Sequence, residues 1–184
     1  MRHSSITTTS ALLILCAATH LSGCVTKSHY NAMLQQQQTL ESALHTEIAA
    51  NQVKIEQLEN GIRVRMANEL LYRSGAVELH PNGRAALDKV APHLADMATQ
   101  GNRIDVVGNT DDVPVGRELV GRYPTNWELA GARAAVVVRY LHEKAVDPRQ
   151  LDAMSRGQYD PVASNDSSSG RAENRRTELL IRPR

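Results

Sequence analysis

Phenylalanine is absent from this chain, tryptophan occurs once, and aromatic residues make up 3% of it. A core must then be built from aliphatic side chains, with little aromatic surface left over for binding. Cysteine is scarce: Cys16 and Cys24 are the only two, and Cys16 lies in an apolar N-terminal run, so no disulfide framework is expected. Charge of one sign is lacking as well, with 21 Lys and Arg against 20 Asp and Glu. A nucleic-acid partner would want a net basic surface, and none is offered. After the N-terminal run, no apolar segment is long enough to cross a membrane. The histidines at 3, 20, 29, 45, 80, 93 and 142 form no ligand-spaced pattern, and Asp111-Asp112 has no third carboxylate beside it. No metal site, cofactor or hydrolytic Ser/His/Asp arrangement is implied, so an enzyme is not expected.

What is present begins with a targeting segment. Arg2 and His3 precede the run Ala11–Ala18, which is too short to span a bilayer, and Leu21-Ser22-Gly23-Cys24 follows. These residues resemble the lipobox of bacterial lipoproteins. The resemblance implies a signal peptide over 1–23, a lipidated (palmitate-bearing) Cys24 and a linker over 24–29. The alternative is an ordinary secretory signal that leaves Cys24 a free thiol. Loss of Arg2 with the signal would level the charge at zero. Several acyl chains hold a protein stably on a bilayer, tethered and not spanning.

From Tyr30 to Ile62 a seam of Tyr30, Leu34, Gln37, Glu41, Leu44, Ile48, Asn51, Ile55, Leu58 and Ile62 repeats at alternating four and three. This spacing predicts a coiled-coil-like helical stalk over 30–61, roughly 50 Å long. Polar Gln37, Glu41 and Asn51 weaken the seam, leaving open a spacer, a homodimer or a surface for a periplasmic protein partner. Asn60-Gly61 breaks the helix. Alternation then predicts a strand over 62–70, and a helix starts at Pro81 and carries Leu87, Val90, Ala91, Leu94, Met97 and Ala98 on one face. Pro92 within it should kink or split that helix. Strands at 103–108, 151–156 and 176–181 and a helix over about 126–144 complete an α+β domain over 62–184. Its order is βαβαβ-β, with a mixed four-stranded sheet and two long helices.

Asp111 ends the second of these strands, after Val106-Val107-Gly108-Asn109-Thr110, and Arg133 lies two turns into the helix that follows. On the helical wheel Arg133 falls at the edge of the stripe Leu129, Ala132, Val136, Tyr140. A partly desolvated guanidinium there needs a carboxylate or several carbonyls. Asp111 and Arg133 therefore form either an internal ion pair or a clamp for a zwitterionic ligand.

Three ordered motifs then resemble a known family. Gly108-Asn109-Thr110-Asp111, Asn126-Trp127-Glu128-Leu129 with Ala132-Arg133-Ala134, and Gly170 to Glu178 are similar to the OmpA C-terminal peptidoglycan-binding domain. That family includes the peptidoglycan-associated lipoprotein and the stator protein MotB. The segment Tyr72 to Leu79 looks like its first loop, and the resemblance spans about residues 62–183. It implies non-covalent binding of peptidoglycan through the diaminopimelate of the stem peptide. Asp111 and Arg133 would contact the ligand, with Thr110, Asn126, Leu129 and the loop Ser74, Gly75, Ala76 lining the pocket. Arg175 and Arg176 either join the pocket or tie the last turn to the sheet, and the second reading is preferred. Ala130 stands where the family often has Ser, and the loop after Asp111 is long, as in MotB-type members. Val25 after the cysteine resembles the sorting pattern of lipoproteins placed in the outer membrane, facing the periplasm. The implied role is a tether between outer membrane and cell wall. The alternative is a regulatory lipoprotein whose residues 30–62 capture a partner.

Overall fold

A computed structural model describes residues 27–73 and 75–183, with side chains from Tyr30 onward. The expected signal segment, Cys24 and Ser74 lie outside the described residues. The chain runs α1 (Lys27–Ala43), α2 (His45–Ala49), β1 (Val53–Leu58), β2 (Gly61–Ala67), α3 (Asn68–Leu71) and α4 (Pro81–Thr99). It continues with β3 (Arg103–Asn109), α5 (Arg117–Val120), α6 (Asn126–Glu143), β4 (Leu151–Gly157), α7 (Ser168–Asn174) and β5 (Arg176–Arg182). The five strands form one mixed sheet in the order β1-β2-β5-β3-β4, with only β3 and β4 parallel. β5, last in sequence, therefore inserts between β2 and β3.

The register lines up aliphatic rows across the sheet. Ile62, Ile181, Ile104 and Leu151 make one row, and Val64, Leu179 and Val106 the next. Leu87, Val90 and Leu94 of α4 and Ala134, Val137 and Leu141 of α6 cover these rows, and all are buried. Aliphatic packing of this kind makes up for the missing aromatics. On the other face Glu178 takes ion pairs from Arg63, Arg65 and Arg176. Arg176 also reaches Asp160 in the loop after β4 and donates to the Asn174 carbonyl at 3.4 Å, so it ties both that loop and the last turn to the sheet.

The predicted stalk is corrected. The helical segment ends by Ala49, and residues 53–58, expected to be helical, are a fifth strand in a hairpin with β2. Two features explain it. Asn51 adopts the left-handed conformation (φ 55°), which stops a helix. Asn60-Gly61, read as a simple break, closes a tight turn in which Leu58 pairs with Gly61. Gly61 is required there, because a Cβ would sit 2.2 Å from the Ile181 carbonyl oxygen. The buried stripe of α1 is Met33 and Leu40, continued by Leu44, and it packs on α4 and β1 in the common core. Leu44→Ala is accordingly expected to destabilise the whole domain by about 2–5 kcal/mol, the usual cost of a buried leucine truncation. A single urea transition shifted for all probes would show this, and a mobile spacer would give no shift.

Two smaller expectations also change. The strand predicted over 62–70 stops at Ala67, because Asn68 turns inward to bond Asn109 and Thr177. The helix from Pro81 is not split at Pro92. Pro92 is exposed, as is Asp88 one turn earlier, so the carbonyl that loses its partner faces water. Among the described residues no helix is long and apolar enough to cross a membrane.

Candidate functional site

The third row of the sheet builds the site. Beyond the two aliphatic rows lie Met66, Thr177 and Gly108 in register. Gly108 admits the backbone of α6, whose Ala130 carbonyl oxygen would be 2.1 Å from a Cβ at that position. The start of α6 is thereby drawn down onto the end of β3. A capping box between Thr125 and Glu128 fixes where the helix begins.

A cleft of about 630 Å³ opens at this rim. It is lined by Thr110 and Asp111 after β3, by Asn126, Leu129 and Arg133 of α6, and by Gly75. Arg171 and Arg175 enter from α7 and its end, and Val113, Pro114, Val115 and Leu119 form an apolar wall. Five of the sequence-predicted residues and Gly75 thus meet in one place. Ala76 does not line the cleft but gives its carbonyl to Arg133, and Ser74 lies outside the described residues.

Asp111 and Arg133 share the cleft without pairing with each other. Asp111 Oδ2 accepts from Arg175 Nη1 at 2.8 Å, and Oδ1 accepts from the Val113 backbone N–H at 3.2 Å. Arg175 is held from its other side by Glu69 at 2.7 Å. The sequence alone favours Arg175 as a tie to the sheet, whereas the structure puts it in the cleft. Its signal lay in the Gly170–Glu178 motif, but only the position of β5 beside β3 brings it to Asp111.

Arg133 has a different environment. Its Nε and Nη2 both donate to the Ala76 carbonyl, at 3.1 and 3.0 Å, and the guanidinium lies 5.1 Å from the centre of the Tyr72 ring. No carboxylate pairs with it among the described residues. Burial pushes its pKa below the ordinary arginine value, opposed by Tyr72, Glu69 and Asp111 nearby. The group stays charged, and with Nε and Nη2 on one carbonyl it is a desolvated cation with N–H donors to spare. Thr110 Oγ1 is also buried and has no hydrogen-bond partner among the described residues. Asn126 acts as a brace, donating to the carbonyls of Asp111 and Val113 and to Gln158 Oε1.

Tyr72 supports Arg133 from below. Its hydroxyl donates to the Arg133 carbonyl at 3.1 Å and lies 3.0 Å from the Thr177 hydroxyl, and burial raises its pKa to about 12. Tyr72→Phe is expected to cost about 1–2 kcal/mol, the worth of a buried hydrogen-bonded hydroxyl. A urea midpoint unchanged from wild type would show that the hydroxyl does not anchor α6.

Residues 71–175 match the OmpA family. Outer membrane protein A of Bordetella avium is 39% identical over 103 residues, 56% of this chain and 48% of that protein. The peptidoglycan-associated lipoprotein of Pseudomonas putida is 34% identical over 63% of this chain and 64% of its own length. The chain spans about half to two thirds of these relatives. Among solved structures, a MotB-like protein from Desulfovibrio vulgaris aligns with a TM-score of 0.74 at 27% identity, covering 84% of this chain and 93% of that one. The cell wall anchor of the T6SS from Pseudomonas aeruginosa aligns at 0.70 and 29%, covering 79% and 97%. The family match takes in more than half of the sequence and these structures share its architecture, so the chain belongs to the OmpA family.

Proposed function

We propose that this protein binds peptidoglycan non-covalently, holding the diaminopimelate of a stem peptide in the cleft between Asp111 and Arg133. The observation that carries the reading is the pair of incomplete partners: a desolvated Arg133 without a carboxylate and an Asp111 with acceptor capacity to spare. Diaminopimelate ends in an ammonium and a carboxylate on one carbon. Arg133 has Nη1 and part of Nη2 available for the carboxylate in a charge-assisted contact. Asp111 accepts one bond on each oxygen, so lone pairs remain for the ammonium. Thr110 Oγ1 gains the partner it lacks, and the wall of Val113, Pro114 and Leu119 covers the aliphatic arm of the ligand. Four arginines against two acidic residues line the cleft, an excess that suits a peptide rich in carboxylates. The names of two relatives, a peptidoglycan-associated lipoprotein and a cell wall anchor, point the same way.

In this reading Cys24 carries the lipid, the outer membrane holds the lipid, and the domain grips the wall, which makes the protein a tether on the periplasmic face. The packing of α1 into the core favours this over capture of a partner through residues 30–62, since Leu40 and Leu44 are fully buried. The test is co-sedimentation with purified sacculi, wild type against Asp111→Ala. Wild type should pellet and the variant should stay in solution. Equal pelleting of the two would remove Asp111 from the binding site and this reading with it.

A further inference from the structure

The chain has a single tryptophan and places it on the surface. Trp127, 44% exposed, stacks on Tyr159, 67% exposed, with ring centres 5.6 Å apart and planes inclined by 29°. In a protein with no phenylalanine and a largely aliphatic core, exposing the largest apolar side chain needs a reason. The rings are also held in place. Ser155 Oγ donates to the Trp127 carbonyl at 2.9 Å. Gly157, in the left-handed conformation (φ 53°), lies against the indole, at a place where a Cβ would make an ordinary contact of 3.5 Å with Trp127 Cδ2.

The pair is continuous with the cleft. Trp127 follows Asn126, and Tyr159 follows Gln158, and these two polar residues are bonded to each other at 2.8 Å. The Gln158 side-chain N–H groups donate to nothing among the described residues. A pre-set aromatic face beside a free amide donor is the chemistry that receives a sugar ring. The apolar C–H face lies on the ring, and hydroxyl or acetamido groups meet the amide. A partner protein would instead want further large apolar groups around the rings, and the sequence neighbours Glu128, Gln158 and Asp160 are polar.

The geometry points to Trp127 and Tyr159 as a glycan subsite that takes an N-acetylhexosamine ring of the strand whose stem peptide fills the cleft. This rests on the peptidoglycan reading and extends it. A stem peptide with diaminopimelate as its third residue reaches roughly 10 Å when extended, which sets how far from the cleft its sugar can lie.

The sole tryptophan is its own reporter. Titration of the intact protein with an N-acetylglucosamine tetramer, which contains no peptide, should give a saturable change in tryptophan emission. Tyr159→Ala should weaken that response about five- to ten-fold, the loss expected of one aromatic stacking contact. Trp127→Ala should weaken sacculus binding by a similar factor without shifting the urea midpoint by more than an exposed substitution does. No emission change at millimolar tetramer overturns the subsite, as does a response that Tyr159→Ala leaves intact. Loss of the Asp111 dependence on sacculi would instead sink the peptide clamp, so the two failures are distinct.

Discussion

Arg133→Ala is expected to lose sacculus binding by about 30-fold to 5,000-fold while the protein remains folded. The binding loss follows from truncating one partner of a buried, charge-assisted contact, which costs about 2–5 kcal/mol. The stability effect is small for a specific reason. Arg133 donates to one carbonyl and covers the Tyr72 ring, but its charge is desolvated without a carboxylate. Removing an under-compensated cation relieves about as much as the lost contacts cost. The change in unfolding free energy should therefore lie within about 1 kcal/mol. Arg133→Lys keeps the charge but not the planar fork, so it should recover only part of the affinity. Co-sedimentation isotherms and urea melts of the three proteins give both quantities. If Arg133→Ala binds sacculi as wild type does, the guanidinium merely props the Gly75–Ala76 loop.

The contrast between what the sequence discloses and what it hides is physical. Asp111 and Arg133 are readable as a rim pair because a strand end and the following helix start share one edge of a sheet, a rule of local topology. Their actual partners are not readable in this way. Arg175 lies 64 residues from Asp111 and reaches it only because β5 inserts between β2 and β3. Strand order is a non-local property, and sequence order does not carry it. The missed strand β1 has the same origin. Ile55 and Leu58 continue the heptad seam, whereas Val53 and Ile55 alternate with Lys54 and Glu56, and Val53, off the seam, is the one buried against Met66 in the hairpin. The periods of the two patterns differ, but six residues hold too few apolar positions to separate them. The turn with Glu59 and Asn60 at its centre decides between them, because a two-residue loop closes a hairpin and not a helix end. Helix α6 offered no such ambiguity. Its capping residues, apolar stripe and length agree on one answer, and the observed bounds, Asn126–Glu143, fall within a residue of those expected.

Gly108→Ala is expected to be among the most damaging single-methyl changes in the domain, costing about 3 kcal/mol or more. The added Cβ would meet the Ala130 carbonyl oxygen at 2.1 Å and the Ala130 Cα at 3.1 Å. These are backbone atoms of a helix that is clamped at its start by the capping box and along its length by Val137 and Leu141 in the core. No side chain can rotate away, so α6 must move off β3. That movement would carry Asn126, Leu129 and Arg133 away from Thr110 and Asp111, and affinity for sacculi should fall together with stability. Gly131→Ala separates this clash from any general intolerance of glycine replacement. It lies one residue beyond Ala130, and its Cβ would make an ordinary contact with Ser155 Cβ at 3.7 Å. Within a helix, alanine is favoured over glycine by about 1 kcal/mol, so this variant should be neutral or more stable. Thermal melts should place the two variants on opposite sides of wild type, with Gly108→Ala lower by roughly 6–12 °C. Coincident melts would mean that the rim tolerates displacement of α6, and the cleft would then owe its shape to the loop after Asp111 and not to the close approach at Gly108.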